Sequence, residues 1–187
     1  MCTHLMMNSA FGASTIEGNA QSPVRVVIFE DLQCSDCAKF RAMLDANLLA
    51  KYGAQVAFEH RDFPLASHSW SRRAAIAARF FDARNPTVGV EFRRQVLARA
   101  DRLQADELAG FIASFARQYG VDPLKAVEAL SHPSLAAMVE RDLADGVARG
   151  VSKTPTVFVD GEPFVETFTV EAISQAIETA IATYKKN

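Results

Sequence analysis

Long apolar runs are missing from this chain of 187 residues: nothing approaches the about 18 consecutive apolar residues that a membrane-crossing helix requires. The expectation is a soluble or peripheral chain. Charge of one sign is also missing, since 20 basic residues face 22 acidic ones, and no global pull toward nucleic acid or anionic membrane follows. Cysteine is scarce. Three residues can close one disulfide at most, which excludes the stapled framework of a small secreted scaffold. With 49% hydrophobic and 22% charged residues, the composition shows no bias toward disorder, collagen-like repeats or coiled-coil rods. The length suits one domain, or one domain carrying an insertion.

At the start of the chain, Leu5 to Ala13 is mildly apolar and ends in small residues, but it lacks a basic flank and is interrupted by Asn8. It reads as a tail, the remnant of a trimmed leader, and residues 1–22 are assigned to it. Cys2 reads as a terminal cysteine without a role rather than as a lipidation site.

Regular structure is expected from Val24 onward. Val24 to Phe29 is a nearly continuous β-branched and aromatic run, as a strand buried on both faces requires. Cys37, Phe40, Leu44 and Leu48 then recur at helical spacing up to Tyr52-Gly53, and Ala54 to His60 reads as a second strand completing a βαβ unit. Residues 67–150 are helical in period throughout, with helices near 67–83, 87–100, 105–119, 122–130 and 134–149, punctuated by Asn85-Pro86, Asp122-Pro123 and His132-Pro133. Period two returns at Thr156 to Val159, turns at Asp160-Gly161 and resumes at Pro163 to Val165, the pattern of a hairpin. Val170, Ile173, Ile177, Ile181 and Tyr184 mark a last amphipathic helix, with Thr169 as its N-cap. The fold class is therefore α/β. Residues 23–66 and 151–187 form one sheet-containing domain, and residues 67–150 form an inserted helical one.

Cys34 and Cys37 form a CxxC where the first strand meets the first helix. A thiol there feels unpaired backbone N–H groups and the positive end of the helix dipole, so Cys34 is the better nucleophile. Cys37, one turn on, is placed to attack a mixed disulfide formed on Cys34 and release the partner. The competing reading is half of a zinc site, which needs two further ligands among Cys2, His4, His60, His68 and His132, and these form no second close pair. A second signal is Pro155, at the mouth of a strand. It reads as a ladder terminator, or, if the Thr154-Pro155 bond is cis, as a turn that directs Thr154 toward the sulfurs, where it can pair with an extended peptide.

The runs Phe29-Glu30-Asp31-Leu32-Gln33-Cys34-Ser35-Asp36-Cys37-Ala38-Lys39-Phe40, Arg61-Asp62-Phe63-Pro64-Leu65, and Gly150 to Gly161 together resemble the DsbA-like branch of the thioredoxin superfamily. The resemblance spans roughly residues 14–187. It implies a thioredoxin fold with a large all-helical insertion between the βαβ half and the β-hairpin-α half. It also implies a thiol-disulfide oxidoreductase with Cys34 attacking, Cys37 resolving and Pro155 as a cis-proline facing them. Protein substrates bearing cysteines, an unidentified redox partner, an extracytoplasmic location and a monomer follow from the same likeness; no organic cofactor and no metal are implied. The alternatives are a non-catalytic binding or chaperone module of that fold, a zinc-binding protein, and a dedicated thiol reductase.

Two positions depart from the family. An acidic residue often lies six positions before the first cysteine, where this chain has Ile28; Glu30 or Asp31 either substitutes for it or is a solvated strand-end charge. Between the cysteines stand Ser35 and Asp36, which are assigned to tuning of the site. A carboxylate at Asp36 is expected to disfavour the Cys34 thiolate, raise its pKa and make the protein a weaker oxidant than its relatives. Arg72, Arg73, Arg79, Arg84, Arg93, Arg94, Arg99 and Arg102 read as a solvated surface. His60, His68 and His132 read as strand-end, cap or loop residues, and Phe63 and Phe164 as ordinary core.

Overall fold

The computed structural model describes residues 15–166 and 168–186. Its organising element is β2 (Arg25–Glu30), the middle strand of a five-stranded sheet ordered β1 (Thr15–Gly18), β3 (Ala57–Asp62), β2, β4 (Thr156–Val159) and β5 (Glu162–Val165). β2 runs parallel to β3 and antiparallel to β4, while β1 and β5 add antiparallel edges. Both faces of β2 are covered, and this explains its unbroken apolar run.

One face presents Val26 and Ile28 with Phe58, Val157 and Val159, packed against Phe40, Leu44 and Leu48 and against Ile173 and Ile177. The first trio comes from one long helix that starts as α1 (Ser35–Met43), passes a π-turn at Leu44–Leu48 and ends as α2 (Leu49–Tyr52). The pair comes from α8 (Val170–Tyr184), whose N-cap Thr169 accepts the Ala172 N–H as its sequence foretells. On the opposite face Phe29 meets Phe63 and Phe158 edge to face.

Between β3 and β4 the chain is helical: α3 (Ser71–Asp82), α4 (Pro86–Leu97), α5 (Leu108–Gln118), α6 (Pro123–Glu128) and α7 (Pro133–Ala148). Asn85 and Asp122 cap α4 and α6 through their side chains, each with proline at the first helical position. His132 occupies the same position before α7 but makes no side-chain cap bond. α7 approaches the sheet closely at Gly146, where a Cβ would stand 2.6 Å from the Phe63 ring.

Two expectations need correction. Residues 1–22 are not all tail, because Thr15–Gly18 pairs with β3 as an edge strand and Ser22 is buried. This strand is too short and polar to show a period. It ends at Gly18 with φ +79°, where any Cβ would clash with the Val56 carbonyl oxygen at 2.5 Å. Nor are the arginines a uniform solvated surface: Arg79 and Arg93 are 2% and 1% exposed. Arg79 bonds Asp62 and Asp142, and Arg93 bonds Asp62, Glu30 and Asp82. These pairs tie α3, α4 and α7 to the ends of β2 and β3, and a guanidinium can be buried only where such carboxylates meet it.

Candidate active site

Cys34 is the N-cap residue of α1 and takes extended backbone angles, while its carbonyl already accepts the Ala38 N–H at 3.1 Å. Its side chain is therefore set against the open first turn. Cys37 lies one turn further, facing inward. Cys34 is 8% and Cys37 1% exposed; both are free thiols, and the Cys37 thiol is placed to donate to a Cys34 thiolate. They pack into the core of the helical block, beside Leu32, Trp70 and Ala74.

The two thiols are driven apart electrostatically. The Cys37 thiol lowers the Cys34 pKa to about 6 by hydrogen bonding to its thiolate; burial opposes this, while Thr154 and the Cys37 and Asp36 backbone N–H groups reinforce it. Cys37 is pushed up, first by burial, then by its bond to Cys34 and the Cys34 charge, with Glu30 adding to it. The net shift at Cys34 is thus downward, set first by Cys37. Asp36 turns its carboxylate to Lys39, at 2.7 Å on the exposed side of the helix, and offers the sulfur its backbone N–H instead.

Asp31 and Glu30 are not solvated charges either, at 1% and 3% exposure. The Asp31 carboxylate accepts the Gln33 N–H and the Leu65 N–H, each at 2.7 Å, and lies 2.9 Å from His68 Nδ1. Its backbone N–H donates to Cys37 Sγ at 3.4 Å. Gln33 in turn accepts the Trp70 N–H at 2.9 Å. Glu30 shares with Ile28 the strand face beneath α1, since positions two apart point the same way. It bonds His60 Nδ1 at 3.1 Å, and the other ring nitrogen of His60 lies 2.9 Å from Glu17. His60 is therefore a buried ion-pair member and not a strand-end residue. Sequence reasoning missed these three histidine–carboxylate contacts, because the partners lie 30, 37 and 43 residues apart.

The Thr154–Pro155 bond is cis, and the Cys34 thiol donates to the Thr154 carbonyl oxygen at 3.3 Å. The Thr154 hydroxyl, buried and otherwise without a partner among the described residues, is the group placed to donate to the Cys34 thiolate. A cleft of about 500 Å³ opens here, lined among others by Cys34, Asp36, Leu65, His68, Asp101 and Thr154. Ser35 and Asp36 flank the sulfur on its wall. For the zinc reading, the described residues hold no group of three or more His, Cys, Asp and Glu placed to bind a metal; Cys2 and His4 lie outside them. Among the described residues no helix is long and apolar enough to cross a membrane.

A family model described as thioredoxin matches residues 11–179. Among curated relatives, the chain is 28% identical over 166 residues to a protein named Na(+)/H(+) antiporter NhaA from Herminiimonas arsenicoxydans, covering 88% of this chain and 25% of that protein. A similarly named protein from Salinispora tropica is 28% identical over 168 residues, or 89% of this chain and 24% of that protein. The chain thus spans about a quarter of the length of the curated relatives it matches. Among solved structures, BdbD from Bacillus subtilis superposes with a TM-score of 0.73 at 20% identity, covering 88% and 93% of the two chains. DsbA from Chlamydia trachomatis gives 0.77 at 16% identity and 96% coverage of both. The thiol-disulfide exchange protein α-DsbA2 from Wolbachia pipientis gives 0.76 at 17%, covering 89% and 87%. At these identities the likeness establishes the fold, a thioredoxin sheet of the DsbA kind with helices inserted between its halves.

Proposed function

The chain belongs to the thioredoxin family, and we propose that it is a thiol-disulfide oxidoreductase acting on cysteine-containing proteins through Cys34 and Cys37. One observation carries this reading. A cleft-facing free thiol at the start of α1 stands beside a second, buried free thiol one turn on, the arrangement a reversible two-electron exchange needs. In the oxidising direction a substrate thiolate attacks Cys34 Sγ, the Cys34–Cys37 bond breaks and Cys37 leaves. A second substrate thiolate then attacks its own mixed-disulfide sulfur and expels Cys34. The substrate loses two electrons and the protein gains them. Cys37 ends as a thiol and Cys34 largely as a thiolate at neutral pH, as their opposite shifts favour.

The direction proposed is that of a DsbA-like oxidase, monomeric and outside the cytoplasm, reoxidised by a separate redox partner. In this reading residues 23–66 and 151–187 carry the sulfurs, with Thr154 and Pro155 contacting substrate backbone. The insertion, residues 67–150, supplies a wall of the cleft through Ala100 and Asp101. Ser35 and Asp36 tune the thiol from the helix start. No organic cofactor or metal takes part.

The test is oxidation of a reduced dithiol peptide, and reduction of insulin, by the wild type, Cys34→Ser and Cys37→Ser. Cys34→Ser is expected to abolish exchange, and Cys37→Ser to accumulate a mixed disulfide on Cys34. Equal behaviour of Cys34→Ser and wild type overturns the reading in favour of a non-catalytic module.

A further inference from the structure

The cleft beside Cys34 holds an imidazole that the exchange described above does not use. His68, in the segment between β3 and α3, is 27% exposed at its side chain and lines the same cleft as Cys34. Its Nδ1 lies 2.9 Å from Asp31 Oδ2. The Asp31 carboxylate is buried and held by the Gln33 and Leu65 N–H groups, each at 2.7 Å. A carboxylate fixed in this way takes the Nδ1 hydrogen of the neutral ring, which leaves Nε2 as the acceptor nitrogen. Among the described residues Nε2 has no hydrogen-bond partner.

We propose that His68 is the general base of the exchange, taking the proton of an incoming substrate thiol through Nε2, with Asp31 as its positioning residue. The inference rests on the oxidoreductase reading above. The step balances: the substrate thiol gives its proton to His68 and becomes a thiolate, which attacks Cys34 Sγ as the Cys34–Cys37 bond breaks. The Cys37 thiolate then takes up one proton, either that of His68⁺ or one from solvent, to which His68⁺ in that case returns its own. The thiolate is the attacking form, so a base at the point of entry raises the rate of the first step.

No other histidine among the described residues is so placed. Both ring nitrogens of His60 are occupied by Glu30 and Glu17, and His132 lines a separate cavity with Arg84 and Lys125. The other charged groups facing the His68 cleft are Asp36, paired with Lys39, Lys153 and Glu166, paired with each other at 2.9 Å, and Asp101.

The experiment mixes oxidised protein with excess reduced dithiol peptide, quenches in acid and measures peptide oxidation by mass between pH 5 and 8. Because Cys34 is then in a disulfide, its own titration does not shape the profile. His68→Gln is expected to slow the reaction at neutral pH by at least about tenfold and to leave only the pH dependence of the peptide thiol. Free imidazole is expected to restore rate to His68→Ala, and Asp31→Asn, checked for folding by circular dichroism, to lower the rate toward that of His68→Gln. The equilibrium with glutathione stays at the wild-type value in His68→Gln, since a base that returns its proton does not alter the end states. A wild-type rate and pH profile in His68→Gln, or a changed equilibrium with an unchanged rate, overturns the inference alone. Absence of exchange in the wild type overturns the oxidoreductase reading, and this one with it.

Discussion

The backbone N–H of Asp31 donates to the sulfur of Cys37 at 3.4 Å. Cys37 is thereby anchored to the segment whose carboxylate also holds His68, Leu65 and Gln33. Strand end, helix start and cleft wall meet at one residue, so the geometry of the two sulfurs is set by β2 as much as by α1.

The thiol shifts predict a one-step titration of the reduced protein. With Cys2 replaced by serine, so that only this pair reports, absorbance at 240 nm is expected to rise by one thiolate with a midpoint at about pH 6, the Cys34 value, and to show no second thiolate step until well above the ordinary thiol range. Cys37→Ser exchanges the main stabiliser of that thiolate for a hydroxyl and is expected to move the midpoint. A group whose pKa is lowered on folding adds stability as pH rises, because the unfolded chain binds more protons. Relative to oxidised protein, reduced protein is therefore expected to gain stability between about pH 6 and the unfolded thiol value of 9.0; urea melts of both forms at several pH values check this, the difference between them cancelling the titration of groups such as His60 that both forms share.

Asp36→Asn is expected to shift the Cys34 midpoint by less than about half a pH unit, as an exposed pair contributes little and Lys39 already faces the carboxylate at 2.7 Å. Lys39→Ala leaves Asp36 uncompensated and is expected to raise the midpoint. A large fall in Asp36→Asn restores the repulsion argument drawn from the sequence.

Arg79→Leu removes the guanidinium between Asp62 and Asp142 and leaves buried carboxylates unpaired. The expected loss is about 3–5 kcal/mol, read from denaturant midpoints at constant slope. Asp62→Asn, which also disturbs Arg93, is expected to cost a similar amount rather than to add to it, since both substitutions break one network.

Glu17 and His60 titrate with opposite signs. Burial opposes the Glu17 charge, but His60 and Arg41 hold its pKa down to about 2. Its stabilisation is present above the unfolded value of 4.5 and is lost as pH falls through about 2. His60 resists burial through Glu30 and Glu17 and is raised, so its contribution is complete below the unfolded value of 6.5 and is lost as pH rises through the folded one. Glu17→Gln is expected to remove part of the acid dependence and to lower stability near pH 5 by roughly 3 kcal/mol, measured by thermal melts from pH 2 to 8.

Much of the architecture was legible because it is local. The β-branched run at β2, the three- and four-residue steps from Cys37 to Leu48, the Asp160-Gly161 turn and the asparagine and aspartate caps before proline each act within one turn or one pair of strands. β1 escaped notice because four residues, Thr15–Gly18, carry too little pattern to distinguish an edge strand from a tail. The site was half legible. Cys34, Cys37 and Pro155 stood out from the sequence, whereas Asp31 read as a substitute acid or a solvated strand-end charge and His68 as a strand-end, cap or loop residue.

Sequence alone determined the order of elements, the faces they bury and the sulfur pair at the start of a helix, since hydrophobic period, turn residues and caps act over a few neighbouring positions. Tertiary structure decided the charges. Whether Arg79, Arg93, Asp31, Asp36 and His60 lie in water or in the core, and which partner each one meets, depends on segments brought together from distant parts of the chain. In a low-dielectric interior that partner decides the sign of a pKa shift. Cys34 could therefore be singled out as a candidate from its neighbours, but the direction of its titration was set only once Cys37 and Thr154 had taken their places around it.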